Sequence, residues 1–296
     1  MKHHGLGIIL LLALCMGRLW AAEDAPVFDV PRLDHITIDG KPEDWGDQGF
    51  RVGVLESETG KQKPAADLDA SFRLGWDERG LLVLIEVSGK VQDEATKANE
   101  LWQKDSIELF YAPMRGSPDV VQMVISPGAD PRQPELRSAI EDDRQTEALK
   151  KTKVTASAVR TKTANGYVLE VLLPWQNLAI KPGVGREFAF QLYVNSTDGG
   201  GRFQLIWYPV SGAHDSMKMN RVRLAEKPSP PVEALAHMEY QRFRHVLVHV
   251  AGTTGLAGQT VTVKQGGREL GSASIVPEAG RAGANLSLPM PAPGES

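Results

Sequence analysis

The stretch LWQKDSIELFYAP, Leu101 to Pro113, sets Trp102 among Glu100, Gln103, Lys104 and Asp105, with Leu101 as its only apolar neighbour. It stands just ahead of an alternating segment in which Ile107, Leu109 and Tyr111 form one face and Ser106, Glu108 and Phe110 the other. The same phasing turns Val121, Met123 and Ile125 of VVQMVIS one way and Gln122 and Val124 the other. A flat ring at a sheet edge, beside a carboxylate and an amide, suits a sugar: the ring takes the C–H face and the polar groups take the hydroxyls. The competing reading is a ring folded back to cap a core.

Other recognisable chemistry is missing from the sequence. There is no GxSxG elbow, HExxH helix, CxxC pair, EF-hand loop or Walker-type glycine loop. His35 and His214 are too few for a histidine-rich metal site in the main domain. Glu108 and Glu170 both fall on non-core strand faces, but no paired-acid motif marks them as a glycosidase couple. The loops WDERG, Trp76 to Gly80, and NSTDGGG, Asn195 to Gly201, offer oxygen ligands for calcium, and are equally ordinary Asp/Gly turns.

The elements that must position these residues are strands. From Ile36 onward, short period-two segments alternate with Gly, Pro, Asn and Asp clusters, which predicts an all-β, two-sheet antiparallel sandwich, jelly-roll-like. Leu169, Val171 and Leu173 oppose Glu170, and Phe188, Phe190, Leu192 and Val194 oppose Gln191, Tyr193 and Asn195. The polar set is either a solvated outer sheet or a shallow binding surface. Phase assigns Trp76 and Trp207 to the core, Trp175 to a sandwich end and Trp45 to an N-terminal loop anchored on the sandwich. One stretch, Pro134 to Lys151, is rich in helix formers and predicts a surface helix between strands.

The chain has 296 residues, 42% of them hydrophobic, and a net charge of -4, with no basic stripe to suit nucleic acid. Residues 1–22 read as a signal peptide, with Lys2, an apolar run from Leu6 to Met16, and Ala21 and Ala22 at the cleavage region. The run is too short to span a bilayer, so no transmembrane helix is expected and the mature protein is secreted, periplasmic or extracellular. The one cysteine, Cys15, lies in that leader, leaving a mature chain without thiols. The main sandwich is expected over 32–225, a Pro-rich linker over 226–232, and a β-rich segment over 233–296. That last segment is shorter than the ~100 residues of an immunoglobulin-like sandwich and reads as a partial domain of that type.

Several linked motifs resemble carbohydrate-binding module family 9. They are IDGKPEDWG (Ile38 to Gly46), FRLGWDERGLLVLIEVSG (Phe72 to Gly89), LWQKDSIELFYAP, NGYVLEVLLPWQNL (Asn165 to Leu178) and GREFAFQLYVNSTDGGGRFQLIW (Gly185 to Trp207). The resemblance implies a non-catalytic sandwich that grips the ends of β-linked glucan or xylan chains, often with structural calcium, and that accompanies glycoside hydrolases in polysaccharide breakdown. It also implies a sugar clamped between two tryptophans and hydrogen-bonded by a Glu, a Gln and an Arg. Trp102 matches the first tryptophan, Glu108 the carboxylate and Gln122 the amide. Val124 stands where the family uses the arginine, and GAHDSMKMNRVRL, Gly212 to Leu224, lacks the second tryptophan. Tyr208 and His214 are the substitutes in reach of that wall. Two alternatives remain: haem b held by HDSMKM, His214 to Met219, as in related electron-transfer sandwiches, which is disfavoured, and a structural module with an extracellular protein partner.

Overall fold

The computed structural model describes residues 27–53, 55–57, 63, 67–89, 98–126, 135–139, 153–197, 201–207, 214–228, 232–238, 244–252, 256–265, 268–278 and 281–289. The expected leader lies outside them, and among them no helix is long and apolar enough to cross a membrane. The alternating segments form strands β1 (Val27–Pro31), β2 (Phe50–Val52), β3 (Glu56–Ser57), β4 (Leu68–Trp76), β5 (Gly80–Gly89), β6 (Ser106–Ala112) and β7 (Val121–Ser126). They continue as β8 (Glu135–Ala139), β9 (Ser157–Lys162), β10 (Gly166–Pro174), β11 (Glu187–Thr197), β12 (Arg202–Ile206) and β13 (Asn220–Ala225).

Two sheets result. The front sheet runs β1-β13-β11-β6-β7-β8, with β12 also paired to β11 and to β3, and the back sheet runs β2-β4-β5-β10-β9. All these pairings are antiparallel except β1 with β13. The long β11 holds β13 against its first half and β12 against its second, with β6 on its other edge. Between the sheets lie the phased apolar residues, among them Ile107, Leu109, Val121, Met123, Leu169, Val171, Phe188 and Leu192. Burying side chains of this size contributes about 1.5–3 kcal/mol each. Trp207 ties the sheets together, edge-on to Phe72 of the back sheet and 6.3 Å from the Phe190 ring of the front sheet.

The outer faces are less open than the polar pattern suggests. On the front, Phe110, Ala112, Val120, Ala189, Tyr193, Ile206 and Met219 make a second apolar cluster under the 113–120 and 214–219 loops. On the back, Leu33, Ile36 and Trp45 of the N-terminal segment pack on Leu82, Leu84 and Val168. Gln191, Asn195, Glu108 and Glu170 are therefore buried, and a solvated sheet surface does not describe them.

The helix expected over 134–151 is corrected at its start: residues 135–139 form β8, paired to β7 with Leu136 opposite Ile125 and Arg137 opposite Val124. Helix propensities differ by only tenths of a kcal/mol per residue, whereas pairing to β7 satisfies a whole edge of backbone donors and acceptors. Residues 140–152 lie outside the described set.

After the sandwich come β14 (Val232–Met238), β15 (His245–Gly252), β16 (Thr260–Gln265), β17 (Arg268–Ser274), β18 (Val276–Glu278) and β19 (Arg281–Pro289). They form a sheet β14-β15-β19-β18 and a hairpin β16-β17, with Val248, Val250, Ile275, Leu286 and Leu288 in a core of their own. His249 Nε2 lies 3.4 Å from Glu56 on β3, which links this unit to the sandwich.

Candidate functional site

Leu101 decides how Trp102 is presented. A 3-10 turn, Ala98–Gln103, precedes β6, and Leu101 on it packs into the sheet against Val124. With that residue turned in, its neighbour turns out, and Trp102 is 38% exposed. The turn is pinned beyond the ring as well, because Asp105 accepts the Thr197 backbone N–H at 2.7 Å. Arg202, at the start of β12, lays its guanidinium 5.1 Å from the centroid of the Trp102 ring. Its NH1 group is also 3.9 Å from Glu108 Oε1, so one arginine joins the ring to the carboxylate.

Glu108 is 4% exposed and sits at the centre of an amide network. Gln122, diagonal to it on β7, donates Nε2–H to Oε2 at 2.6 Å. Asn195, diagonal on β11, donates to Oε1 at 2.8 Å and also to Ser106 Oγ at 2.9 Å. Gln204 on β12 donates to Oε1 at 3.3 Å and to Asn195 Oδ1 at 2.7 Å. Burial pushes the Glu108 carboxyl above the usual carboxylate range, opposed by the Asn195 and Gln122 hydrogen bonds and then by Arg202 and His214. A carboxylate has about four acceptor positions, and Oε2 with its single amide partner keeps capacity for a ligand hydroxyl.

Trp102, Glu108 and Gln122 are thus brought to one patch. His214 is exposed and lies edge-on to Phe110 at 5.5 Å, while Tyr208 lies outside the described residues. Val124, the position the resemblance gives to an arginine, is directly opposite Glu108 in register but sealed under Leu101. Glu170 belongs elsewhere: it points out of the back sheet and is bound by Trp45 Nε1 at 2.8 Å and by the backbone N–H groups of Asp39 and Gly40. The two glutamates leave opposite faces of the sandwich and cannot act on one bond.

In Trp76–Gly80, Asp77 accepts Arg79 Nε at 2.8 Å and the backbone N–H groups of Arg79 and Gly80, so a cation there would have to displace a guanidinium. In Asn195–Gly201, Asn195 is committed to the Glu108 network and residues 198–200 are outside the described set. No group of three or more His, Cys, Asp or Glu side chains fit to hold a metal occurs among the described residues. Met219 is buried in the front apolar cluster, Met217 is exposed, and Lys218 pairs with Asp215 at 3.4 Å.

Arg202 and Gln204 escaped the sequence reading although their signal was present. Phe203, Leu205 and Trp207 alternate as core residues, so Arg202 and Gln204 had to share the outer face with Glu108. What alternation could not supply was the pairing of β12 beside β11, which brings Gln204 opposite Asn195.

A family model described as carbohydrate family 9 binding domain-like matches residues 38–226. Two solved structures of a carbohydrate binding module family 9 from Caldicellulosiruptor kristjanssonii, in complex with cellotriose and with glucose, are 19% and 18% identical, each at a TM-score of 0.49. Each alignment covers 68% of this chain, and 95% and 97% of those chains respectively. A third structure, from Bacteroides uniformis ATCC 8492, is 11% identical at a TM-score of 0.44, covering 68% of this chain and 99% of that one. No curated protein matches the chain. The chain belongs to the carbohydrate family 9 binding domain-like family, and its main domain is a carbohydrate-binding module.

Proposed function

We propose that the patch formed by Trp102, Arg202, Glu108 and Gln122 is a non-catalytic site for the ends of β-linked glucan or xylan chains, on a protein exported by residues 1–22. The observation that carries this reading is an exposed tryptophan ring fixed beside a buried carboxylate–amide network. Arg202 occupies one side of the ring, and the free side takes the C–H face of a sugar. Glu108 Oε2 and Gln122 accept its hydroxyls, and Arg202 supplies the charged donor that Val124 cannot. His214 and Tyr208 are the candidates for an opposing wall. The cellotriose and glucose complexes of the Caldicellulosiruptor module support this choice of ligand class.

Calorimetric titration of the full chain with glucose, cellobiose, xylobiose and cellotriose tests the assignment. Saturable binding is expected for at least one β-linked sugar and is lost in Trp102→Ala. Equal binding by that variant, or silence across the panel, rejects the site.

A further inference from the structure

The back sheet carries a second opening, on the face away from Trp102. The N-terminal segment covers only part of that sheet, ending at Trp45 over Leu82, Leu84 and Val168. Beyond it the outward residues become polar: Arg51 on β2, Asp69, Ser71 and Arg73 on β4, and Glu86 and Ser88 on β5. They line an open cleft of about 470 Å³, within the ~300–1,000 Å³ range of small-molecule sites.

Arg73 is the feature that stability alone does not explain. It is 9% exposed, yet its Nε–H has no hydrogen-bond partner; its NH1 donates to Gly46 O at 2.6 Å. A buried donor left unmatched is a standing cost, and native folds keep few of them. Arg73 also lies directly opposite Arg51 in the β2–β4 register, a like-charge pairing that weakens a sheet. Burial, and then Arg51, lower the Arg73 pKa, with Glu86 and Asp47 opposing. The side chain is clamped in place nonetheless. Gly49, at φ 99°, passes so close that a Cβ there would sit 3.2 Å from Arg73 Cβ and 3.3 Å from the Trp45 ring. Arg73 thus lines the cleft beside Arg51 with its unmatched Nε–H closed to solvent, leaving the remaining guanidinium N–H groups to meet a ligand.

The rest of the lining names the ligand class. Across β4 and β5, Ser71 faces Glu86 and Asp69 faces Ser88, so acceptors lie alongside the guanidinium donors. An anion would meet Asp47, Asp69 and Glu86 as well as the two arginines, and gains little. A hydroxyl both donates and accepts, so a hydroxyl-rich neutral molecule uses guanidinium and carboxylate together. We propose that this cleft is a second saccharide site, binding a neutral mono- or disaccharide on the back of the sandwich through Arg73, Arg51 and Glu86. It stands independently of the Trp102 site, and the two face opposite ways, so a module holding both can bridge two glycan chains and gain avidity from doing so.

Arginine Nε–H and tryptophan indole N–H resonances of the full chain, followed during titration with glucose, cellobiose and xylobiose, test the cleft. The Arg73 Nε–H signal is expected to shift saturably, and equally in Trp102→Ala. Glu86→Gln should weaken that response by about tenfold or more, as the loss of a charge-assisted hydrogen bond implies, while leaving the Trp102 indole response unchanged. Arg73→Ala removes the bond to Gly46, so Ser88→Trp, which fills the cleft from the end of β5, serves as the blocking variant and should abolish the shift. An Arg73 signal that stays still or drifts without saturating overturns the proposal. So does one that answers to sulfate or glucuronate but not to neutral sugars, or one lost with Trp102. An Arg73 shift beside a silent Trp102 indole would instead reject the front site and leave the cleft standing.

Discussion

Each outer face of the sandwich sets a glutamate near a tryptophan, and the two pairs are used differently. On the back, Trp45 is fully buried and donates its indole N–H straight to Glu170, whose other partners are the Asp39 and Gly40 backbone N–H groups. On the front, Trp102 is partly exposed and reaches Glu108 only through Arg202, and the other partners of Glu108 are amide side chains. An indole N–H and two backbone N–H groups have nothing left to offer once bonded, so the back pair is a clasp. Amides and a guanidinium have further donors and acceptors, so the front pair can share itself with a ligand. Residue types alone do not separate a fastening from a site; what covers the ring does.

The largest effect should come from opening the clasp. Trp45→Ala empties a fully buried ring position and removes one of the three donors to Glu170, for a loss of about 3–5 kcal/mol in urea unfolding. Gly40 makes the clasp hard to rebuild, since at φ 79° its N–H meets Glu170 while a Cβ would lie 2.6 Å from Thr161 Oγ1. Trp102→Ala is the counterpart on the front. It should change stability by under ~1 kcal/mol while abolishing sugar binding. Comparable destabilisation in the two variants would erase the distinction between clasp and site.

Most of the fold was legible because strand phase is a local property. Ile107, Leu109, Leu169 and Phe190 reached the core that alternation assigned them, and Trp76 and Trp207 followed. Local reasoning failed at 135–139, where helix formers pair as a strand, because the free edge of β7 is not written in that segment. It also failed on the outer faces. Glu108 and Glu170 look alike in phase, and only long-range coverage, by Trp45 on one side and by Leu101 with Arg202 on the other, tells them apart. The candidate site was half legible for the same reason: Trp102, Glu108 and Gln122 come from the turn before β6, from β6 and from the adjoining β7, whereas Arg202 arrives through the β11–β12 hairpin.

Arg202 gives the next effect in size. If it replaces the charged donor absent at Val124, Arg202→Ala should weaken sugar affinity by about tenfold to a hundredfold, since a hydrogen bond to a charged group contributes about 1.5–3 kcal/mol. Arg202→Lys keeps the charge but loses the planar stack on Trp102 and should fall between the two. The urea midpoint should stay near that of the wild type, because the guanidinium lies near the surface of the network. Affinity unchanged in both variants would mean that Arg202 only props the ring.

The smallest effect distinguishes Glu108 through its titration. Burial raises its folded pKa above the ordinary 4.5, so the folded chain holds this proton to higher pH than the unfolded chain does. Between 4.5 and the raised folded value the unfolded state has already released its proton, and stability falls as pH rises through that window. Glu170 shifts in the same direction, also chiefly by burial, so the wild type carries two such contributions and Glu108→Gln removes one. The variant begins with an offset of its own, because its new amide must meet the Asn195 and Gln122 donors. Against that offset, the stability of Glu108→Gln relative to wild type should improve as pH is raised from 4.5 through the raised folded pKa and level off above it. Urea midpoints measured in steps across that interval would show it. Parallel curves would mean that the amide network and Arg202 compensate the burial of Glu108 in full.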